Sequence, residues 1–278
     1  MQADPIPAVR EDAASGITAS IFADLRATLE VPFVNLIWRH LATVPGMLEW
    51  TWTLVKPLQA SGELQQLADA LPASVVAPSG IRQPACVYDA VGVTEADRDV
   101  IGTMLRDYNA ANAANLLSLL VAHAVLTGQS AERGAVAAIS PSRPRRARPA
   151  LPRLLGLDEL SPSARTLVLE LDQFGRFAAT DAVASLYRHL AHWPGFLAVA
   201  HAALSGPHSD GRLSREHATM RDRARDAAFL RLLPLAAAPP LPDHADVAGA
   251  KVSLQVFTEQ MIARMVVMGE LMLAMLPE

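Results

Sequence analysis

Asparagines stand at 109, 112 and 115 in an alanine-rich run that begins at Tyr108 and leads into Leu116 and Leu117. Asparagine is a poor residue inside a helix because its amide competes for backbone hydrogen bonds, so this density needs a reason. Asn112 and Asn115 lie about one turn apart on the face that Tyr108 begins. Two readings stand side by side: the amides line a ligand pocket, or they tie neighbouring helices together through side-chain bonds. Other familiar chemistry is missing. The chain has no CxxC, HExxH or GxSxG, and its glycines form no phosphate-binding loop, so no cofactor is expected. His189 and His192 have a metal-compatible spacing, but two imidazoles without a third ligand make a weak site, and no metal is expected.

These residues sit in a chain that repeats itself. Leu-Ile-Trp-Arg-His-Leu-Ala at 36–42, followed by Pro45 and Gly46, returns as Ser-Leu-Tyr-Arg-His-Leu-Ala at 185–191, followed by Pro194 and Gly195. On the same offset of 149 residues, Phe33, Leu48 and Tyr108 meet Ala182, Leu197 and Phe257. A constant offset over about 75 residues implies duplication of a whole unit, and two copies make an intramolecular pseudo-dimer. A pocket at their junction is lined once by each copy, so function is sought where the copies differ. Asn112 and Asn115 face Met261 and Arg264 on this offset, whereas His40 and His189 are equivalent and read as structural or surface residues.

The elements follow from hydrophobic spacing. Ser15 to Leu29 puts Ile17, Ile21, Phe22, Leu25 and Leu29 on one helical face, and Glu30-Val-Pro32 stops that helix. Pro32 suits the first turn of the next helix, with Val34, Ile37, Trp38 and Leu41 as its apolar stripe. In the second copy the stripe is Val183, Leu186, Tyr187 and Leu190, with Asp181 as the cap. Thr94 and Asp97 approximate a capping box opening a helix toward Arg106 and Tyr108, and residues 109–128 are helical again. No stretch alternates with period two, so the fold class is all-α. The division predicted is 1–132 for the first repeat, 133–157 for a linker and 158–278 for the second repeat. Within the linker, Pro141, Pro144, Pro149 and Pro152 alternate with Arg143, Arg145, Arg146 and Arg148, an extended and solvated connector.

Composition excludes several classes. The 278 residues are 51% hydrophobic and 19% charged, with a net charge of -4 and a pI near 6.1, so neither nucleic acid nor an acidic membrane is expected as a partner. Residues 262–276 are strongly apolar but carry Arg264 and Glu270 and fall short of the roughly 20 residues a bilayer needs; they read as a buried helix. A lone cysteine, Cys86, and an N-terminus without a secretory pattern make a cytoplasmic location the expectation. The expected partner is a small molecule, a short carboxylic acid included, and the composition is compatible with a homodimer.

Several motifs together resemble the group I, DehI-type 2-haloacid dehalogenases: Ser15-Gly16, Asp-Leu-Arg at 24–26, Thr-Leu-Glu-Val-Pro at 28–32, Arg-His-Leu-Ala with Pro45-Gly46, Tyr-Asn-Ala-Ala-Asn at 108–112 and Trp-Pro-Gly-Phe-Leu at 193–197. The resemblance covers nearly the whole chain. It implies two pseudo-symmetric helical repeats and hydrolysis of a carbon–halogen bond without a covalent intermediate. In that mechanism an aspartate assisted by an asparagine activates water for direct attack with inversion. Asn112 matches the asparagine. The aspartate is expected directly after a serine; here Ser185 is followed by Leu186, and leucine cannot take a proton. A base would then have to come from Glu259, Asp107 or a histidine, or the cavity binds a small apolar or carboxylate ligand without catalysis. Phe33 and Leu36 match aromatic positions of the family's site, and Thr258 stands where a tyrosine is expected. With Asn115, Ser185 and Leu186 they form the predicted substrate-binding set, around Asn112 as the catalytic residue.

Overall fold

The computed structural model describes residues 6–129, 151–178 and 182–277. Among these residues no strand forms, and the chain is all-α. In the first half the helices are α1 (Gly16–Leu29), α2 (Leu36–Leu41), α3 (Met47–Gln59), α4 (Gly62–Ala73), α5 (Ala85–Ala90) and α6 (Glu95–Leu126). The second half contains α7 (Pro162–Leu171), α8 (Ser185–Leu190), α9 (Pro194–Ser209), α10 (Arg212–Ala227), α11 (Val247–Val256) and α12 (Ala263–Ala274). α2 and α8 begin and end 149 residues apart. Phe257–Ile262 joins α11 to α12 as a widened π-helical turn, so the two run on as one rod.

α6 is the axle. Thr94 Oγ1 accepts from the Asp97 backbone N–H at 3.2 Å while Asp97 Oδ2 accepts from the Thr94 N–H at 2.9 Å, so the capping box predicted from sequence is present. No proline interrupts the 32 residues that follow, and the two helical stretches read separately at 94–108 and 109–128 are one helix, about 48 Å long. Its length and apolarity would suffice to cross a bilayer, yet 83% of its most apolar window is buried inside the protein. α6 packs chiefly against α12 and α4, with α3 and α11 completing its sheath.

Two boundaries differ from expectation, for one reason. α2 starts at Leu36 instead of near Pro32, with Asn35 extended at φ -59° and ψ 150°. The backbone ahead of it is bonded to side chains: Val34 N–H donates to Glu11 Oε1 at 2.9 Å, and Val34 C=O accepts from Arg39 Nε at 3.2 Å. Val34 is buried before the helix begins. α8 likewise starts at Ser185 behind the extended Ala184, whose N–H donates to Asp172 Oδ1 at 3.2 Å. Asp181, read as that helix's cap, lies outside the described residues, as does the arginine cluster at 143–148; the N-cap position itself is Ala184. In α1, Ile17 is 57% exposed despite its apolar phase, because the core reaches only Ile21, Phe22 and Leu25.

Asp172 anchors the second half. It is fully buried and pairs with Arg264 of α12 at 3.1 Å and with Arg176, and its backbone carbonyl accepts from Arg264 at 2.7 Å. A buried carboxylate needs such partners to remain charged. Through them the end of α7, the approach to α8 and the core of α12 are tied at one point.

Candidate functional site

The inner cavity is built from residues that stand 149 apart. Asn35 and Ala184, Leu36 and Ser185, Ile37 and Leu186, Tyr108 and Phe257, and Asn112 and Met261 all line it, with Ile262 and Met265 closing the wall. The extended turns before α2 and α8 aim the first three pairs inward, and α6 and the α11–α12 rod supply the rest. Its volume is about 40 Å³, room for a few waters at the ~10–15 Å³ that one needs. Among the described residues the polar lining is unequal: Asn35, Tyr108 and Asn112 come from the first half, and only Ser185 from the second. No carboxylate and no histidine is among the lining residues described.

The polar groups are held from behind. Asn35 Nδ2 donates to Asn112 Oδ1 at 3.0 Å, while Asn35 Oδ1, buried, has no protein partner. Arg39 reaches across the junction and donates to Ser185 Oγ at 3.1 Å. Tyr108 stacks on Phe33 with ring centroids 4.2 Å apart, and its hydroxyl lies 2.8 Å from His189 Nδ1. Burial drives the phenol pKa upward and pushes His189 down to about 4, so the imidazole is neutral at physiological pH.

Outside this cavity a cleft of about 730 Å³ runs between the turn before α2 and the segment 151–159. Arg39, Arg188, Phe33 and His189 form its inner wall, and Arg10, Glu11, Asp158 and Glu159 its rim. Phe33 therefore faces the cleft and backs the cavity through Tyr108, whereas sequence reasoning placed it in the substrate site itself. Leu36, Asn112, Ser185 and Leu186 do come together in the cavity. Two other predicted positions do not line it. Asn115 is fully buried and accepts from the Trp38 indole N–H at 3.0 Å, so its amide ties α6 to α2. Thr258 is also fully buried and turns its hydroxyl to Leu254 C=O at 2.8 Å, back along its own rod.

The replacement bases weighed from sequence separate cleanly. Glu259 is paired with Arg225 at 2.7 Å, and Asp107, though buried, is not part of the cavity wall. His189 is the histidine bonded to a lining residue. The phenol of Tyr108 was missed as a functional group; its hydroxyl has no counterpart at Phe257, and that difference was visible in the repeat.

The all-helical architecture is the fold of the D-2-haloacid dehalogenases. A D-2-haloacid dehalogenase mutant with D-2-CPA superposes with a TM-score of 0.78 at 18% identity, over 97% of this chain and 94% of that one. The D-2-haloacid dehalogenase with L-LA gives 0.77 at 18% identity, over 97% and 95%. No family model matches the chain. In sequence it is similar to an (R)-2-haloacid dehalogenase of Pseudomonas putida, with 33% identity over 104 residues. That match spans 35% of this chain and 35% of the relative. Sequence and fold thus resemble the same group, the DehI-type dehalogenases.

Proposed function

We propose that this chain binds a short carboxylic acid, a 2-halo acid in the first instance, in the cavity between two pseudo-symmetric repeats, 1–132 and 158–278. It is a hydrolase-derived protein in which Leu186 occupies the place of the water-activating aspartate. The observation carrying this reading is the lining itself: five pairs of residues 149 apart surround one space, and polar groups concentrate on the side of Asn112. The unpartnered Asn35 Oδ1 supports a bound water or ligand, since a buried acceptor without a donor costs about 1–3 kcal/mol. A 2-halopropionate is larger than the empty space, and Met261 and Met265 are the wall residues most able to repack around it. The exposed thiol of Cys86 suits a reducing, cytoplasmic setting.

The test pairs binding with turnover. The thermal midpoint of the full chain is expected to rise with increasing 2-chloropropionate, and Asn112→Ala to abolish that rise. Halide release then separates an active hydrolase from a non-catalytic binder, the second reading. A midpoint indifferent to short carboxylic and 2-halo acids sinks both.

A further inference from the structure

Asn35, Tyr108, Asn112 and Ser185 are the polar residues of the cavity's described lining. Of these, Tyr108 alone is bonded to an imidazole, the side chain most suited to taking up a proton. The bond is 2.8 Å long and both residues are buried. His189 also hydrogen-bonds the Pro152 backbone, which has no N–H and can only accept. In the tautomer that carries its proton on Nε2, Nδ1 is the acceptor and the phenol donates to it. Tyr108 lines the cavity and His189 lines the outer cleft, so this bond crosses the wall between them. Phe33 holds both rings, stacked on Tyr108 at 4.2 Å and edge-on to His189 at 6.3 Å.

The equivalent pair on the 149-residue offset has the ring contact without the hydroxyl. Phe257 and His40 are the residues 149 positions from Tyr108 and His189, and their ring centroids are also 5.8 Å apart, although these rings stack at 23° where Tyr108 and His189 meet edge-on at 76°. His40 turns its nitrogens to Pro7 C=O at 2.7 Å and Ser253 Oγ at 2.8 Å. Phenylalanine is therefore enough where the contact only packs.

We propose that Tyr108 and His189 are the acid–base pair of this cavity, activating a water held beside Asn35 and Asn112 for attack on C2 of a short 2-halocarboxylate. The proposal rests on the hydrolase-derived reading above. As the water oxygen bonds to C2, the carbon–halogen bond breaks and its electron pair leaves with the halide. The water proton passes to the Tyr108 oxygen while the phenol proton passes to His189 Nδ1. The products are the 2-hydroxy acid, halide and an imidazolium, which returns its proton to solvent on the cleft side. Burial gives His189 a pKa of about 4, the basicity of an ordinary carboxylate such as the missing aspartate.

The experiment measures halide release from racemic 2-chloropropionate and 2-bromopropionate by the full chain, Tyr108→Phe, His189→Asn and the double variant, with the ligand-induced midpoint shift recorded for each. Each single change is expected to lower kcat by about 100-fold or more, with KM within about threefold. The double variant should be no worse than the poorer single one, because the residues act as a unit. Tyr108→Phe removes one oxygen and keeps the stack on Phe33, so it carries the test even if His189→Asn does not fold. Full turnover in Tyr108→Phe, or losses that multiply in the double variant, overturns the pair. A wild-type chain that binds the acid but releases no halide overturns the pair and leaves the binding reading standing, and no binding at all removes both.

Discussion

At the scale of single residues, the three asparagines of α6 do three different jobs. Asn109 donates to Glu270 at 2.9 Å, Asn112 accepts from Asn35 at the cavity wall, and Asn115 accepts from Trp38. The ligand and helix-tying readings are both needed, and only the neighbours say which applies where. Asn115→Ala is expected to cost about 1–3 kcal/mol in chemical denaturation by stranding the buried indole N–H, with no change in the ligand-induced midpoint shift. His189 makes a pH prediction. Its pKa is pushed down to about 4 in the fold from 6.5, so between those values the unfolded chain binds the extra proton. Its contribution is whole above pH 6.5 and declines as pH falls toward 4, by on the order of 3 kcal/mol. Stability measured over that window should be flatter in His189→Asn; an unchanged slope would contradict the buried neutral ring.

Among the elements, the two Pro-Gly pairs, one in the turn before α3 and one opening α9, show how one motif answers two demands. Gly46 has φ +70°, where a side chain strains the backbone. Gly195 has no such φ, but a Cβ there would sit 2.3 Å from the Val91 carbonyl oxygen. Each pair packs on the opposite half, Gly46 against Pro242 to Ala245 and Gly195 against Val91, so both clamp the halves together. Gly195→Ala should lower stability by roughly 1–3 kcal/mol, read as a shifted denaturation midpoint with unchanged slope. The starts of α2 and α8 were misplaced by the same logic of neighbours. Hydrophobic stripes ran through Val34 and Val183, but side-chain bonds from Glu11, Arg39 and Asp172 hold the chain extended there, and no local pattern encodes those partners.

For the whole molecule, the halves meet around a closely packed cavity in whose wall one aliphatic position offers a direct test. Leu186 is 1% exposed and lines the cavity together with Ile37. Leu186→Asp would place a carboxylate in an aliphatic wall, raising its pKa and costing several kcal/mol. If Asn112 is poised as the resemblance implies, the folded variant should gain halide release over the wild type; a folded variant with none would mean the space has been reshaped. The helical class, the capping box and the 149-residue spacing were all legible in the sequence, since each is a local pattern or a comparison of the chain with itself, whereas α6 reads there as two stretches and only the fold joins them. Tertiary structure decided what no spacing shows. It turned Thr258 and Asn115 away from the cavity, set Phe33 in the outer cleft, and brought Tyr108 from one half to within 2.8 Å of His189 from the other. Those outcomes depend on which groups remain buried and paired once distant helices pack, and burial and pairing are properties of the assembled core.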